Sequence, residues 1–82
     1  MNRRKLLRRI LASSKNVRFG DFVNLVEGFG FRLSRIRGSH HIFEHPNISE
    51  LLNLQESKGE VKPYQVKQFL RLVEQYNLEL ED

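Results

Sequence analysis

The sequence predicts an α+β fold: a three-stranded antiparallel sheet with two helices on one face, in the order α-β-β-β-α, plus an extra N-terminal helix. Three observations predict it. Apolar residues recur at helical spacing near both ends of the chain and again over about 20–28. Between residues 31 and 55 the apolar period shortens towards two, the period of a strand. Glycine, proline and serine clusters fall between these runs and mark the turns.

The elements follow in order. Residues 3–12 read as a short basic helix, with Leu6, Leu7, Ile10 and Leu11 on one stripe and Arg3, Arg4, Arg8 and Arg9 beside or opposite it. Ser13, Ser14 and Asn16 break the pattern and form a linker, so residues 1–16 read as a basic helix and linker, packed on the main domain at 17–78 or frayed from it. A second helix covers about 20–28, where Phe22, Val23, Leu25 and Val26 make one buried face; Gly28 and Gly30 end it. Residues 31–37 and 40–45 read as two strands joined at Gly38-Ser39. Phe31 and Leu33 share a face, and Ile36 breaks that alternation, which predicts a bulge or a half-covered face there. In the second strand Phe43 is the core candidate; His41 and His45 share its side, while His40, Ile42 and Glu44 point the other way. Pro46 ends the strand. A third strand at about 50–55 places Leu52 and Leu54 on one face, and the segment from Asn47 to Leu52 is longer than a simple turn. Residues 56–62 read as a polar loop. Pro63 opens the clearest helix, 63–76, with Val66, Phe69, Leu70 and Val73 as its core stripe. The acidic tail, 79–82, is expected to be mobile.

Composition narrows the function. Eighty-two residues make one domain, and a chain this short buries only about 60–65% of its unfolded surface, so any site is shallow. Cysteine is absent, which excludes disulfides, zinc–thiolate sites, iron–sulfur clusters and thiol nucleophiles. No apolar run approaches the roughly 20 residues of a bilayer span. The basic N-terminus is not followed by the apolar stretch of a secretory signal. The expectation is a small cytoplasmic protein with no membrane partner. The charge is unevenly spread: residues 1–40 hold ten Lys/Arg against Asp21 and Glu27, a balance of +8, whereas residues 41–82 come to −4. A basic first half fits a polyanionic partner; the plainer reading is a solvated surface.

Among side chains that titrate near neutral pH the candidates are His40, His41 and His45. As metal ligands they fail, because alternation separates His40 from the other two and no carboxylate stands at a familiar spacing. No metal and no cofactor are expected. As a base, one histidine suffices for cutting RNA, which carries its own nucleophile, the 2′-hydroxyl. Arg35, Arg37 and Lys62 would then meet phosphate. The competing reading of these histidines is ordinary half-exposed strand residues.

The helix–strand order is shared with double-stranded-RNA-binding domains. The stretch 30–46, Gly-Phe-Arg-Leu-x-Arg-x-x-Gly-Ser-His-His-x-Phe-x-His-Pro, resembles the core signature of HicA-type toxins of type II toxin–antitoxin modules. Residues 58–70, Lys-Gly-Glu-Val-Lys-Pro-Tyr-Gln-Val-Lys-Gln-Phe-Leu, resemble that family's final strand exit and second helix. The resemblance implies a metal-independent mRNA interferase neutralised by a HicB-like antitoxin, free as a monomer or small homo-oligomer. It implies the catalytic base at the histidine after Gly-Ser, His40, with His41 as the alternative, and Gly38 and Ser39 as the turn that presents it to RNA. His45 matches a common family position. Two further readings remain: a non-catalytic RNA-binding module of the same fold, and a protein-interaction subunit.

Overall fold

The computed structural model describes residues 1–81. Three helices, α1 (Arg3–Ala12), α2 (Phe19–Gly28) and α3 (Pro63–Gln75), accompany four strands, β1 (Arg32–Arg37), β2 (His40–His45), β3 (Ile48–Ser57) and β4 (Glu60–Val61). The strands form one antiparallel sheet in the order β1-β2-β3-β4. The three-stranded sheet of the sequence reading is therefore corrected to four. The missed strand is two residues long, and its turn is the reason it was hidden. Lys58 (φ 54°) and Gly59 (φ 80°) both take positive φ, as both central residues of a type I′ hairpin must, and they fold Glu60 and Val61 back onto Ser57 and Glu56. Val61 is buried there, so a run that looked polar contributes one core side chain. The order helix, antiparallel sheet, helix remains compatible with the double-stranded-RNA-binding arrangement.

β3 is also longer than expected. It starts at Ile48, which pairs with His45, so Pro46-Asn47 is a two-residue turn and not a long connection. β1 carries the expected irregularity: the register shifts between Leu33 and Arg35, leaving Ser34 as the extra residue. The bulge puts Leu33 and Ile36 on one side and Arg35 and Arg37 on the other, which is why the sequence does not alternate there.

The core lies between the sheet and the layer of α2 and α3. Phe43, Leu52 and Leu54 supply it from the strands, and Phe22, Leu25, Val26, Val66, Phe69 and Leu72 from the helices. Phe69 is its hub, in edge-to-face contact with Phe22, Phe29 and Phe31 at 5.3, 5.4 and 6.0 Å. The α3 stripe is rotated from the expected one: Leu72 and Gln65 are buried, while Leu70 and Val73 are only half-buried. Gln65 is tolerated inside because its Oε1 accepts the Gln55 backbone N–H at 2.9 Å.

The termini hold each other. The Asn2 side chain caps α1 by accepting from Lys5 N–H at 2.8 Å, and Leu6 and Ile10 enter the core. The acidic tail, expected to be mobile, is docked as far as residue 81. Leu78 and Leu80 pack on the core, Glu81 N–H donates to Gly28 O at 2.7 Å, and Arg3 Nη1 donates to Glu81 O at 3.2 Å. The two leucines explain it: an acidic tail with apolar residues at alternate positions has something to bury. Asp82 lies outside the described residues.

Candidate active site on the open face of the sheet

Helices cover one face of the sheet only. On the uncovered face the register brings together residues far apart in sequence. Arg37 pairs with His40, which pairs with Gln55; Arg35 pairs with Ile42, which pairs with Asn53. Directly paired residues of an antiparallel ladder project to the same side, so Arg35, Arg37, His40, Asn53 and Gln55 form one polar patch around Ile42. It is assembled by the Gly38-Ser39 turn. Gly38 has φ +57°, suited to the first central position of a type II′ hairpin turn. Ser39 is tied across to β3: Gln55 Nε2 donates to its hydroxyl at 3.3 Å, and its carbonyl accepts the Glu56 N–H at 3.4 Å.

The three histidines stand in three different environments. His40 is half-exposed on the open face, and its Nδ1 lies 3.2 Å from Asn53 Oδ1. An amide oxygen only accepts, so Nδ1–H donates. In the neutral ring Nε2 then keeps the lone pair. His41 points to the helix side, as alternation requires. Its ring meets Phe19 edge-on at 4.8 Å, and Nδ1–H donates to Ser39 O at 3.3 Å. His45 is buried. Nε2–H donates to Phe29 O at 3.0 Å, and Nδ1 accepts Asn47 N–H at 3.1 Å. Both ring nitrogens are used up, and Phe31 packs against the ring at 5.0 Å. Gly30 makes room for it: a Cβ there would sit 2.8 Å from His45 Nε2. His45 is thus a brace joining the end of α2 to the β2–β3 turn. Among the described residues no group of three or more His, Asp or Glu side chains is placed to hold a metal ion.

Of the residues singled out in the sequence, Arg35, Arg37, Gly38, Ser39 and His40 meet at one end of the β1–β2 hairpin. Lys62 does not join them. It caps α3 beyond β4, with β3 between it and His40. His41 adjoins the site in sequence but faces away. Asn53 and Gln55 were missed. The signal was present: Leu52 and Leu54 are inward, so their neighbours are outward on the face of His40. What was missing was the register that sets Asn53 and Gln55 beside it.

One further ionisable group is perturbed. Desolvation where α3 ends pushes the Tyr76 phenol above its ordinary 10.0, and the charge and hydrogen bond of Glu50 on β3 push the same way.

A family model described as the HicA toxin of bacterial toxin–antitoxin systems matches residues 19–74. That span runs from the first residue of α2 almost to the end of α3. It includes the whole sheet and the patch around His40, and leaves α1 and the docked tail outside. No curated protein and no solved structure matches the chain. No helix among the described residues is long and apolar enough to cross a membrane.

Proposed function

The chain belongs to the HicA toxin family, and from that premise we propose that it is a metal-independent endoribonuclease that cleaves mRNA, with His40 as general base. One observation carries the choice of His40 over His41. His40 lies on the open face in register with Arg37, with Arg35 on the next pair along, whereas His41 is packed against Phe19 on the helix side. RNA laid on the open face meets the first histidine and not the second.

The chemistry follows from the tautomer. Asn53 holds the Nδ1 proton of His40, which leaves Nε2 to take the proton of a ribose 2′-hydroxyl. The O2′ atom attacks the adjacent phosphorus and the bond to the 5′-oxygen breaks. The products are a 2′,3′-cyclic phosphate and a 5′-hydroxyl. The proton taken by His40 returns to the leaving oxygen or to water, so the enzyme ends the turnover unchanged. Negative charge grows on the phosphorane oxygens in the transition state, and Arg35 and Arg37 are the cations on the same face that oppose it. Ser39 and Gly38 position the hairpin end against the RNA backbone. Lys62, beyond β4 and so two strands from His40, is a remote phosphate contact. DNA lacks the 2′-hydroxyl and is not a substrate.

A toxin of such a module has an antitoxin partner. We place the antitoxin, a HicB-like protein, over the open face, where it excludes RNA. The test is cleavage of RNA by the purified chain in EDTA beside His40→Ala, with the product ends analysed. Cyclic phosphate ends made by the native chain and lost in the variant support the assignment. Equal cleavage by both overturns it. Bound but intact RNA moves the protein to a non-catalytic RNA-binding module.

A further inference from the structure

α1 is a helix whose charges work against its own stability. Arg3, Arg4 and Lys5 occupy its first turn, with no acid there. That is the positive end of the helix dipole, where a cation is unfavourable. Arg4 and Arg8, and Lys5 and Arg9, are like-charge pairs four residues apart, which repel. Relief from within the fold is partial. Arg3 is drawn onto Asn24, with Nε 2.9 Å from its carbonyl, and Arg9 donates to Asn16 O. Lys5, Arg8 and Arg9 are exposed and meet no acidic side chain at ion-pair distance among the described residues. At about 100° per residue, Arg4, Arg8 and Lys5 lie on the side away from Leu6 and Ile10, and Arg9 lies at the edge of that strip, about 40° further round.

From this arrangement we infer that the outer strip of α1, centred on Lys5, Arg8 and Arg9, is a second binding surface for the phosphate backbone of RNA. A phosphodiester chain offers one negative charge per nucleotide and neutralises dipole-end and like-charge repulsion together. A bilayer fits less well: Leu6 and Ile10 are 1% and 2% exposed, which leaves Leu11, at 66%, as the one large apolar side chain of α1 that is well exposed, too little for a surface helix to insert. The surface is separate from the patch around His40. α1 packs on α2, on the helix side of the sheet, and the protein is 20–30 Å across. A long RNA engages both surfaces; a tetranucleotide, with only three phosphodiesters, engages one. The choice of RNA rests on the endoribonuclease reading; the anion surface itself does not.

The test compares the native chain with Lys5→Gln/Arg8→Gln/Arg9→Gln. Glutamine keeps helix propensity close to that of lysine and arginine. The probe is a 30-nucleotide 2′-O-methyl RNA, which offers no free 2′-hydroxyl. With about 0.7 released counterions per contact on a single strand, losing three contacts flattens the log–log salt slope by about 2. Affinity then falls about 100-fold at 0.1 M salt, and the difference fades towards 1 M. The variant also melts no lower than the native chain at low salt, because repulsion has been removed. Arg8→Gln alone loses about one third of the slope change. Unchanged affinity and slope overturn the inference, as does stronger capture of the native chain by phosphatidylcholine–phosphatidylserine vesicles than by the RNA. The nuclease reading is separated by a second pair of substrates. The triple variant cuts a tetranucleotide as the native chain does and cuts the unmodified 30-mer more slowly. If neither protein cuts anything but the triple variant still loses affinity, the nuclease reading falls and the α1 surface stands.

Discussion

His40 and His41 are adjacent in sequence and chemically identical, yet their surroundings diverge because a strand sends neighbours to opposite faces. His40→Ala is expected to abolish cleavage while leaving melting close to native, since its ring sits in a half-exposed patch. His41→Ala is expected to keep cleavage and to lower stability by about 1 kcal/mol through the lost contact with Phe19. Product analysis and thermal melts of the two variants check both. Gly30 makes the same point about a residue with no side chain. Its φ of +96° and its closeness to His45 rule out a Cβ. Gly30→Ala is expected to cost about 2–3 kcal/mol, from the backbone strain plus the displaced hydrogen bond of a buried ring, measured by urea unfolding. Cleavage per folded molecule should be unaffected, because His45 braces the turn and touches no RNA.

The elements show where local signals end. β1 reads as a poor strand because a bulge reverses its alternation, and that same bulge delivers Arg35 and Arg37 to the face of His40. α3 closes at Tyr76, whose phenol is held above its ordinary value by desolvation and by the neighbouring Glu50 on β3. The raised phenol has a definite consequence for stability. A group whose folded value lies above its ordinary value contributes stability that is present below about pH 10 and is lost as the pH climbs through the folded value. The native chain should therefore lose melting temperature on the alkaline side. Tyr76→Phe, which cannot ionise, should show a flatter profile from pH 9 to 11, and equal slopes would sever the link between Tyr76 and Glu50.

The whole molecule stands on a narrow core. Phe69 joins the rings of Phe22, Phe29 and Phe31 at the centre, where α2, α3 and the start of β1 converge. Phe69→Ala is expected to cost about 3–5 kcal/mol, a large part of the roughly 5–15 kcal/mol that holds a domain folded. The variant should be mostly unfolded at 37 °C by circular dichroism. The matched family span covers this core, while α1 and the tail lie outside it and add a further wall of Leu6, Ile10, Leu78 and Leu80.

Periodicity and punctuation were enough to reveal three helices, the β1–β2 hairpin at Gly38-Ser39, the third strand, the bulge in β1, and the outward side of His40. These are properties of a few neighbouring residues, and the spacing of apolar side chains and the conformational freedom of glycine act at that range. The motif around residues 30–46 pointed to the family for the same reason: its residues are contiguous. Tertiary structure alone decided the rest. The fourth strand needed β3 as a template, since two residues form no strand by themselves. The docked tail needed α1 and Gly28 to receive it. Asn53, thirteen residues from His40, became its partner only through the β2–β3 register, and Lys62 was kept apart by the same sheet. Each depends on which segments pair across the chain, and that choice is made when the whole core closes around Phe69.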